Sequence, residues 1–414
     1  MTDNREYKTD CRLFTGFSPC HYRRSCRSCP HYEAVDTRIL LVQLGLLGDV
    51  LRTTSLLPAI RRRYPRAHIT WLTRPEAAEV LRENPLVDRV LRLGEATGAL
   101  LASLQFDIAL CPDKELPACS LMQLVQCEDK RGFTIDANGS IVPLGESAHR
   151  LYELGLDNYQ KFFVNEKTEQ HLMTEALGFE YAHDRYIVVL TDRERRWALE
   201  DRRIAGVGDS EVLIGWNTGC SARYPYKKLT VEDQVHLMET VWQRTVRKDR
   251  VRFALLGGGA EDETRNRRIG EMLSERQIPV TQTPCLQGVR RGLAAVAGCD
   301  MVVSGDSLGM HMAIGLKKPT VAWFGITCHQ EIDLYGRGIK VLSEVPCRPC
   351  WLQRCQLKRK CYRHLPWPEM SAAIVDMATS ILEEGRWAGD HVLGAFPPEN
   401  RIEPPLGVSP GPVL

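Results

Sequence analysis

A continuous apolar run that leads directly into a helical pattern is the feature that most constrains this fold. Residues 38–44, RILLVQL, do not alternate apolar and polar side chains, as expected for a strand covered on both faces. Residues 50–64 then place Leu51, Leu56, Leu57 and Ile60 at helical spacing. A buried strand followed by a helix is the repeating unit of a parallel sheet, so we predict an α/β fold.

This alternation of strand and helix occurs in two series along the chain. Further strands of the first series are predicted at residues 68–73, 89–93 and 106–112. The second series has strands at residues 211–219, 250–259, 278–284, 300–306 and 318–325, with helices at 232–246, 263–277 and 289–298. We therefore predict two parallel-sheet domains of similar size, with the charged segment 192–210 as a hinge.

The domain boundaries follow from these two series. We predict a cysteine-rich extension at residues 1–35, a first Rossmann-like domain at 36–205, a second at 206–365, a C-terminal helix at 366–390 and a proline-rich, disordered tail at 391–414. In parallel sheets, ligands bind at the carboxyl ends of the strands, so functional residues are expected in the strand-exit loops.

Charge and hydropathy exclude several classes of protein. The formal net charge of +2 gives no reason to expect a nucleic-acid partner. No stretch approaches the roughly 18 to 20 consecutive apolar residues that span a bilayer, and the N-terminus has no apolar signal-peptide core. We therefore expect a cytoplasmic protein with at most peripheral contact to the inner face of the cytoplasmic membrane. The sequence leaves the oligomeric state open.

Eight of the 15 cysteines fall into two clusters. The first contains Cys11, Cys20, Cys26 and Cys29, and the second contains Cys347, Cys350, Cys355 and Cys361. Each cluster has one C-x2-C pair, which is typical of a tetrahedral zinc or iron site. The alternative is redox-inert cysteines in short loops. We predict a structural zinc or iron ion at the first cluster, whose segment has few apolar residues to order it, and treat the second as a further candidate.

Four strand-exit loops carry glycine-rich or polar sequences: LGLLGDV, NTGCSARYPYKK, GGGAEDE and SGDSLGMH. None is a G-x-G-x-x-G fingerprint or a P-loop, so the sequence supports neither a nicotinamide enzyme nor an NTPase. Backbone N–H groups of such loops, with lysines nearby, form an anion site that suits a diphosphate. Tight turns with helix caps are the alternative explanation.

Asp49 follows two glycines at the exit of the first strand. A carboxylate projecting from such a loop can accept a proton from a sugar hydroxyl. It could instead cap a helix beginning near Leu51, although a cap would not explain both glycines.

Four stretches resemble a known family. LLGDVLRTTSLLPAIRRRYP, NTGCSARYPYKK, LLGGGAEDE and VVSGDSLGMHMAIGLKKPTVAWFG occur in the order and approximate spacing of the motifs of glycosyltransferase family nine, the lipopolysaccharide heptosyltransferases and their relatives. The resemblance covers about residues 36 to 385, and CRPCWLQRC is similar to a cysteine-containing stretch of many members. It implies a GT-B fold of two Rossmann-like domains across a cleft, the first for the acceptor and the second for the nucleotide sugar. The N-terminal cysteines resemble an extension found in a subset that includes metal-containing members.

The resemblance also implies a role for each motif residue. Asp49 would be the catalytic base, and Lys227 would stabilise the departing diphosphate, with Lys228 as its substitute. Thr218, Gly219 and Ser221 would approach the phosphates, Glu261 or Glu263 would bind the ribose, and Asp306, Ser307 and His311 would contact nucleotide and sugar, with Gly48 and Gly309 beside the substrates. The two lysines could instead lie at a solvated helix start, and His311 could be a packing histidine. The family often has Gly directly after the Ser or Thr, whereas Leu308 precedes Gly309 here.

The implied function is an inverting glycosyltransferase that moves a heptose or related sugar from a nucleotide-diphosphate donor such as ADP-heptose. The acceptor would be a hydroxyl of a cell-envelope glycolipid, an oligosaccharide or a protein. No catalytic cofactor is expected, since the sequence has no Asp-x-Asp metal motif. Two alternatives remain open: another GT-B nucleotide-sugar enzyme such as an epimerase, and a non-catalytic metal-binding assembly protein.

Overall fold

The computed structural model describes residues 7–222, 224–353, 355 and 360–394. Within these residues the chain divides into two compact units. The first unit contains residues 7–157 and 170–184, and the second contains residues 158–169 and 185–394. The segment 158–169 thus joins the second unit although it precedes the end of the first.

The first unit is built on a six-stranded sheet with the order β3-β2-β1-β4-β5-β6. Its strands are β1 (Thr37–Val42), β2 (Ala67–Thr73), β3 (Arg89–Arg92), β4 (Ile108–Cys111), β5 (Asp129–Ile135) and β6 (Ile141–Leu144). All neighbours are parallel except β5 and β6, which form an antiparallel pair. The predicted strands at the centre of this sheet are present, whereas β5 and β6 were not predicted.

The helices of the first unit are short. They are α1 (Leu47–Thr53), α2 (Leu57–Arg63), α3 (Pro75–Ala78), α4 (Thr97–Ser103), α5 (Leu116–Leu124), α6 (His149–Leu156) and α7 (Glu169–Ala176). The single helix predicted at residues 50–64 is divided into α1, a 3₁₀ turn at Thr54–Leu56, and α2. Pro58 lies in the first turn of α2, where its missing N–H costs least.

The second unit contains a seven-stranded sheet, entirely parallel, with the order β13-β12-β11-β10-β7-β8-β9. Its strands are β7 (Val212–Asn217), β8 (Val251–Leu256), β9 (Val280–Gln282), β10 (Met301–Gly305), β11 (Thr320–Phe324), β12 (Arg337–Leu342) and β13 (Gly389–Leu393). The helices are α8 (Asp192–Ile204), α9 (Val231–Arg244), α10 (Ala260–Ser274), α11 (Val289–Gly298), α12 (Leu308–Gly315), α13 (Lys360–Arg363) and α14 (Trp367–Glu384), together with one π-helical turn at Gln160–Val164.

Strand β13 corrects the prediction for the C-terminus. Residues 391–393 were expected in the disordered tail, but they pair with β12 as an edge strand. The remainder of that tail, residues 395–414, lies outside the described part of the chain.

The predicted hinge is also wrong. Residues 192–204 form α8, and the side chain of Thr191 accepts a hydrogen bond from the backbone N–H of Glu194 at its start. Two ion pairs, Arg290–Glu194 and Arg291–Asp201, are buried between α8 and α11. The charges that suggested a solvated hinge are therefore the partners of arginines on a neighbouring helix, and the second unit begins near residue 185.

Each sheet has one point where the order of strands reverses. From β1 the chain first builds β2 and β3 on one side and then β4 and β5 on the other, and β7 and β10 mark the same reversal in the second sheet. Loops that leave the carboxyl ends of such neighbouring strands diverge and leave space for a ligand. Asp49 follows β1, and Asp306 follows β10.

The N-terminal extension is attached to the first unit by charged contacts. The guanidinium group of Arg12 pairs with Asp88, whose carboxylate also accepts hydrogen bonds from Arg61 (2.8 Å) and from the backbone N–H of Ile69 (2.7 Å). The Asp88 side chain is only 6% exposed. These contacts show how a segment with few apolar residues is held on the sheet. No helix in the described part of the chain is long and apolar enough to cross a bilayer.

Replacing Arg12 by Met should loosen the extension, because Asp88 then loses one of its two guanidinium partners. We expect the free energy of unfolding to fall by about 1–2 kcal/mol, less than for loss of a fully buried pair. Hydrogen–deuterium exchange of residues 7–36 should accelerate. Arg66→Met is the matched control, since the Arg66–Asp36 pair is exposed and its loss should change little. An extension that stays equally protected in both variants would contradict the assignment.

Candidate active site

Asp49 lies in the first turn of α1, directly after β1. Its Oδ2 atom accepts a hydrogen bond from the backbone N–H of Leu46 (3.1 Å), and its Oδ1 atom accepts one from Arg52 (2.9 Å). The helix begins at Leu47, four residues earlier than expected, so Asp49 is its third residue and caps its N-terminus. The side chain is nevertheless 37% exposed, which leaves the carboxylate accessible. Capping and catalysis are thus compatible roles.

Gly45 allows the chain to turn tightly around that carboxylate. A Cβ atom at this position would lie 3.1 Å from Oδ2 of Asp49 and 2.9 Å from Oε1 of Gln43. Any side chain here would displace one of these groups. Gly48, predicted beside the substrates, is buried within α1.

The second unit presents an ion pair at the exits of β7 and β10. The ammonium group of Lys227 lies 2.9 Å from Oδ2 of Asp306, and both side chains are largely buried. Burial alone would raise the pKa of the Asp306 carboxyl, but the charges of Lys227 and His311 and a hydrogen bond from Thr327 outweigh it and lower the pKa. Asp306 therefore stays ionised, and a lysine is held at the reversal of strand order.

Two aromatic rings surround the same ammonium group. Nζ of Lys227 lies 5.2 Å from the ring centroid of Tyr224 and 5.1 Å from that of Trp351. The sequence prediction missed both rings. Trp351 belongs to the second cysteine cluster, and its backbone N–H donates to the carbonyl of Ile326 (2.8 Å) after β11. The CRPCWLQRC stretch therefore supplies a residue to this site.

Asn217, the last residue of β7, organises the neighbouring loops. Its side-chain amide donates to the hydroxyls of Ser307 (2.9 Å) and Ser304 (3.1 Å) and to the carbonyl of Gly219 (3.0 Å). A Cβ atom on Gly309 would lie 2.6 Å from the Asn217 amide. Gly309 thus acts by making room for Asn217, and Ser307 is fixed by it.

The predicted phosphate loop contains residues with different surroundings. Thr218 is fully buried, and its hydroxyl donates to Asn266 (2.5 Å), so this side chain points into the unit. Gly219 allows the carboxylate of Asp262 to approach closely, and that carboxylate accepts from the backbone N–H of Gly258 (2.9 Å). Burial raises the pKa of Asp262. Ser221 is exposed.

Lys228 and Glu261 form a second ion pair, which Arg265 extends by a 3.0 Å contact to the same carboxylate. The hydrogen bond from Lys228 is the main reason why the pKa of Glu261 is lowered. Glu261 is 61% exposed, as a ribose-binding acid requires. Glu263 is half-buried, and its side chain makes no hydrogen bond or ion pair within the described residues. Of the two predicted acids, Glu261 has the stronger link to the lysines.

His311 is buried at 6% exposure in α12. Its Nδ1 atom lies 3.2 Å from the hydroxyl of Tyr186, and the two rings stack with centroids 5.9 Å apart. Its charge contributes to the lowered pKa of Asp306, so the two groups are close. His311 therefore has the packed surroundings of the alternative explanation and also supports the site electrostatically.

The structure does not support the predicted metal ion at either cysteine cluster. Among residues 7–222, 224–353, 355 and 360–394, no three or more His, Cys, Asp or Glu side chains are arranged to hold a metal. Cys11, Cys20, Cys26 and Cys29 are half-buried free thiols. In the second cluster, burial and then the neighbouring Cys355, Cys350 and Cys347 raise the pKa of Cys361 to about 12. These thiols lie near one another without forming a site.

Comparison with known proteins agrees with this arrangement. Residues 220–361 match the model of "Glycosyltransferase family 9 (heptosyltransferase)". Lipopolysaccharide heptosyltransferase 1 of Pseudomonas aeruginosa is 24% identical over 339 residues, which cover 77% of this chain and 87% of that protein. The matched segment 220–361 includes the lysines, Asp306 and Trp351. The chain belongs to glycosyltransferase family 9.

Two solved structures show the fold of this family 9 member. A family 9 glycosyltransferase from Veillonella parvula has a TM-score of 0.59 and 18% identity, covering 74% of this chain and 86% of its own. The ADP-heptose lipopolysaccharide heptosyltransferase II of E. coli has a TM-score of 0.56 and 17% identity, covering 82% and 99%. The predicted GT-B type fold is confirmed, and the chain is a heptosyltransferase-like glycosyltransferase.

Proposed function

We propose that this glycosyltransferase transfers a heptose from a nucleotide-diphosphate donor such as ADP-heptose to a hydroxyl of a cell-envelope glycolipid or oligosaccharide, with inversion at the anomeric carbon. The observation that carries the proposal is the Lys227–Asp306 pair at the reversal of strand order in the second unit. The choice of sugar and acceptor rests on the relatives, which are named for heptose and lipopolysaccharide. A glycolipid acceptor would bring the enzyme to the inner face of the cytoplasmic membrane.

The surroundings of Lys227 suit a diphosphate. Its ammonium group is held by a carboxylate and two aromatic rings, so little side-chain freedom is lost when an anion binds. The N-terminus of α12 follows Ser307 and adds the partial positive charge of a helix end. When the bond between sugar and diphosphate breaks, negative charge grows on the leaving phosphate, and a fixed cation stabilises that charge more strongly than it stabilises the donor.

Asp49 in the first unit would act on the acceptor. The acceptor oxygen attacks the anomeric carbon, the bond from that carbon to the diphosphate oxygen breaks, and the hydroxyl proton passes to the Asp49 carboxylate. One displacement on the face opposite the leaving group inverts the anomeric centre. Hydrogen bonds from Leu46 and Arg52 fix the carboxylate and leave it partly exposed to receive the proton.

Replacing Asp49 by Asn tests the base. The amide keeps the shape of the side chain but cannot accept the proton, so we expect the turnover number to fall at least about 100-fold. The dissociation constant of ADP, measured by calorimetry, should stay within about twofold, because the diphosphate contacts proposed for the second unit remain. Transfer within about tenfold of the wild-type rate would show that another group takes the proton.

The two lysines serve as a matched pair for the phosphate site. Lys227→Ala should weaken donor binding and slow transfer together, each by about tenfold or more, because its charge meets the diphosphate both before and during departure. Lys228→Ala should affect chiefly donor binding, since Lys228 is paired with the exposed Glu261. Initial rates over a range of donor concentrations separate the two effects. A severe Lys228→Ala with a mild Lys227→Ala would reverse the assignment.

A further inference from the structure

The backbone of Leu44, which joins β1 to the Asp49 loop, is gripped at both of its polar atoms. Its N–H donates to Oδ2 of Asp113 (2.8 Å), which lies at the exit of β4. Its carbonyl accepts a hydrogen bond from Nε of Arg74 (2.6 Å), which lies at the exit of β2. Because β2 and β4 are the two neighbours of β1, the sheet itself holds this residue from both sides.

Asp113 is built into this position. The residue is 7% exposed, and its second oxygen, Oδ1, accepts from the backbone N–H of Glu115 (2.7 Å). The Glu115 carboxylate in turn contacts Arg74 at 3.4 Å. Asp113, Glu115 and Arg74 therefore form one network around Leu44, and we call these three side chains the Leu44 clamp.

A short series of contacts connects Leu44 to Asp49. The N–H of Gly45 donates to Oε1 of Gln43 (2.9 Å), while Nε2 of Gln43 donates to the hydroxyl of Thr53 (3.1 Å). That hydroxyl donates to the backbone carbonyl of Asp49 (2.8 Å). The N–H of Leu46 binds the Asp49 carboxylate directly. The loop has few ways to move once Leu44 is fixed.

We propose that Asp113, together with Arg74, is a positioning residue that holds the β1 exit loop so that the Asp49 carboxylate is presented to the acceptor. This inference rests on the proposed role of Asp49 as the base. Asp113 does not contact substrate in this account; it acts through the backbone of Leu44.

Keeping this carboxyl ionised is unfavourable, which argues against a role in packing alone. Burial raises the pKa of Asp113 to about 6, and the negative charges of Glu115 and Asp49 raise it further, against the two backbone hydrogen bonds that lower it. A neutral side chain would fill the same space without this cost. Buried carboxyls with raised pKa values are concentrated at functional sites.

The chain contains a matched control at the other end of the same two strands. Oδ2 of Asp107, just before β4, accepts a hydrogen bond from the backbone N–H of Arg38 (2.6 Å) in β1. Asp107 and Asp113 thus hold the same strand by the same kind of bond. Asp107 lies at the amino end of β4, whereas Asp113 and the Asp49 loop lie at the carboxyl end.

The test compares Asp113→Asn and Asp107→Asn in the full-length protein. Asp113→Asn should lower the turnover number at least about tenfold while the dissociation constant of ADP changes less than about twofold, and Asp107→Asn should leave both within about twofold. Hydrogen–deuterium exchange should accelerate at residues 43–49 only in Asp113→Asn. If Asp113→Asn does not fold, Arg74→Met removes the other half of the clamp and should give the same loss of turnover.

A double variant shows whether Asp113 acts through Asp49. In Asp49→Asn, the further change Asp113→Asn should slow transfer by less than about twofold, because the base is already gone. Independent, multiplying losses would overturn the proposal, as would unchanged turnover in Asp113→Asn or a loss confined to ADP binding. If Asp49→Asn alone remains active, the base assignment fails and the positioning role fails with it. Faster exchange at residues 43–49 would then identify a clamp that serves only the fold.

Discussion

Parallel strands end at the same edge of their sheet, and in both units the chain leaves a central strand first to one side and then to the other. The carboxyl ends of β1 and β4, and of β7 and β10, therefore carry loops that diverge. Asp49 follows β1, and the Lys227–Asp306 pair lies at the exits of β7 and β10. This constraint gathers polar side chains from residues far apart in sequence at one place in each unit.

Charged groups at these places are kept ionised against the cost of burial. Asp306 is offset by Lys227, and Asp113 by two backbone N–H groups. Glycines permit the close approaches: Gly309 makes room for Asn217. The loops are therefore tightly specified, which a glycosyl transfer needs, because a small displacement of a base or cation lowers the rate strongly.

The central strands could be predicted because strands covered on both faces are continuous apolar runs. Strands β3, β6 and β13 lie at or near sheet edges and are partly exposed, so their sequences carry a weaker signal; of these only β3 was predicted. The resemblance identified Asp49, Lys227 and Asp306, which are motif residues. Asp113, Tyr224 and Trp351 could not be found in this way, since each acts through a tertiary contact that local sequence does not encode.

Two predictions failed for electrostatic reasons. The charged segment 192–210 was interpreted as a hinge, but its acids pair with Arg290 and Arg291 in the folded chain. The cysteine-rich extension was expected to need a metal, but Arg12 holds it on Asp88. In both cases a long-range ion pair supplied order that composition alone could not reveal.

The central claim is that this chain transfers a sugar from a nucleotide donor in a single displacement. Its most direct test is to incubate purified protein with ADP-heptose and a lipopolysaccharide core oligosaccharide, and to determine the anomeric configuration of the product by NMR. The account predicts equal amounts of ADP and extended oligosaccharide, with the anomeric configuration opposite to that of the donor. Retention of configuration, or release of ADP without extension of the acceptor, would contradict it.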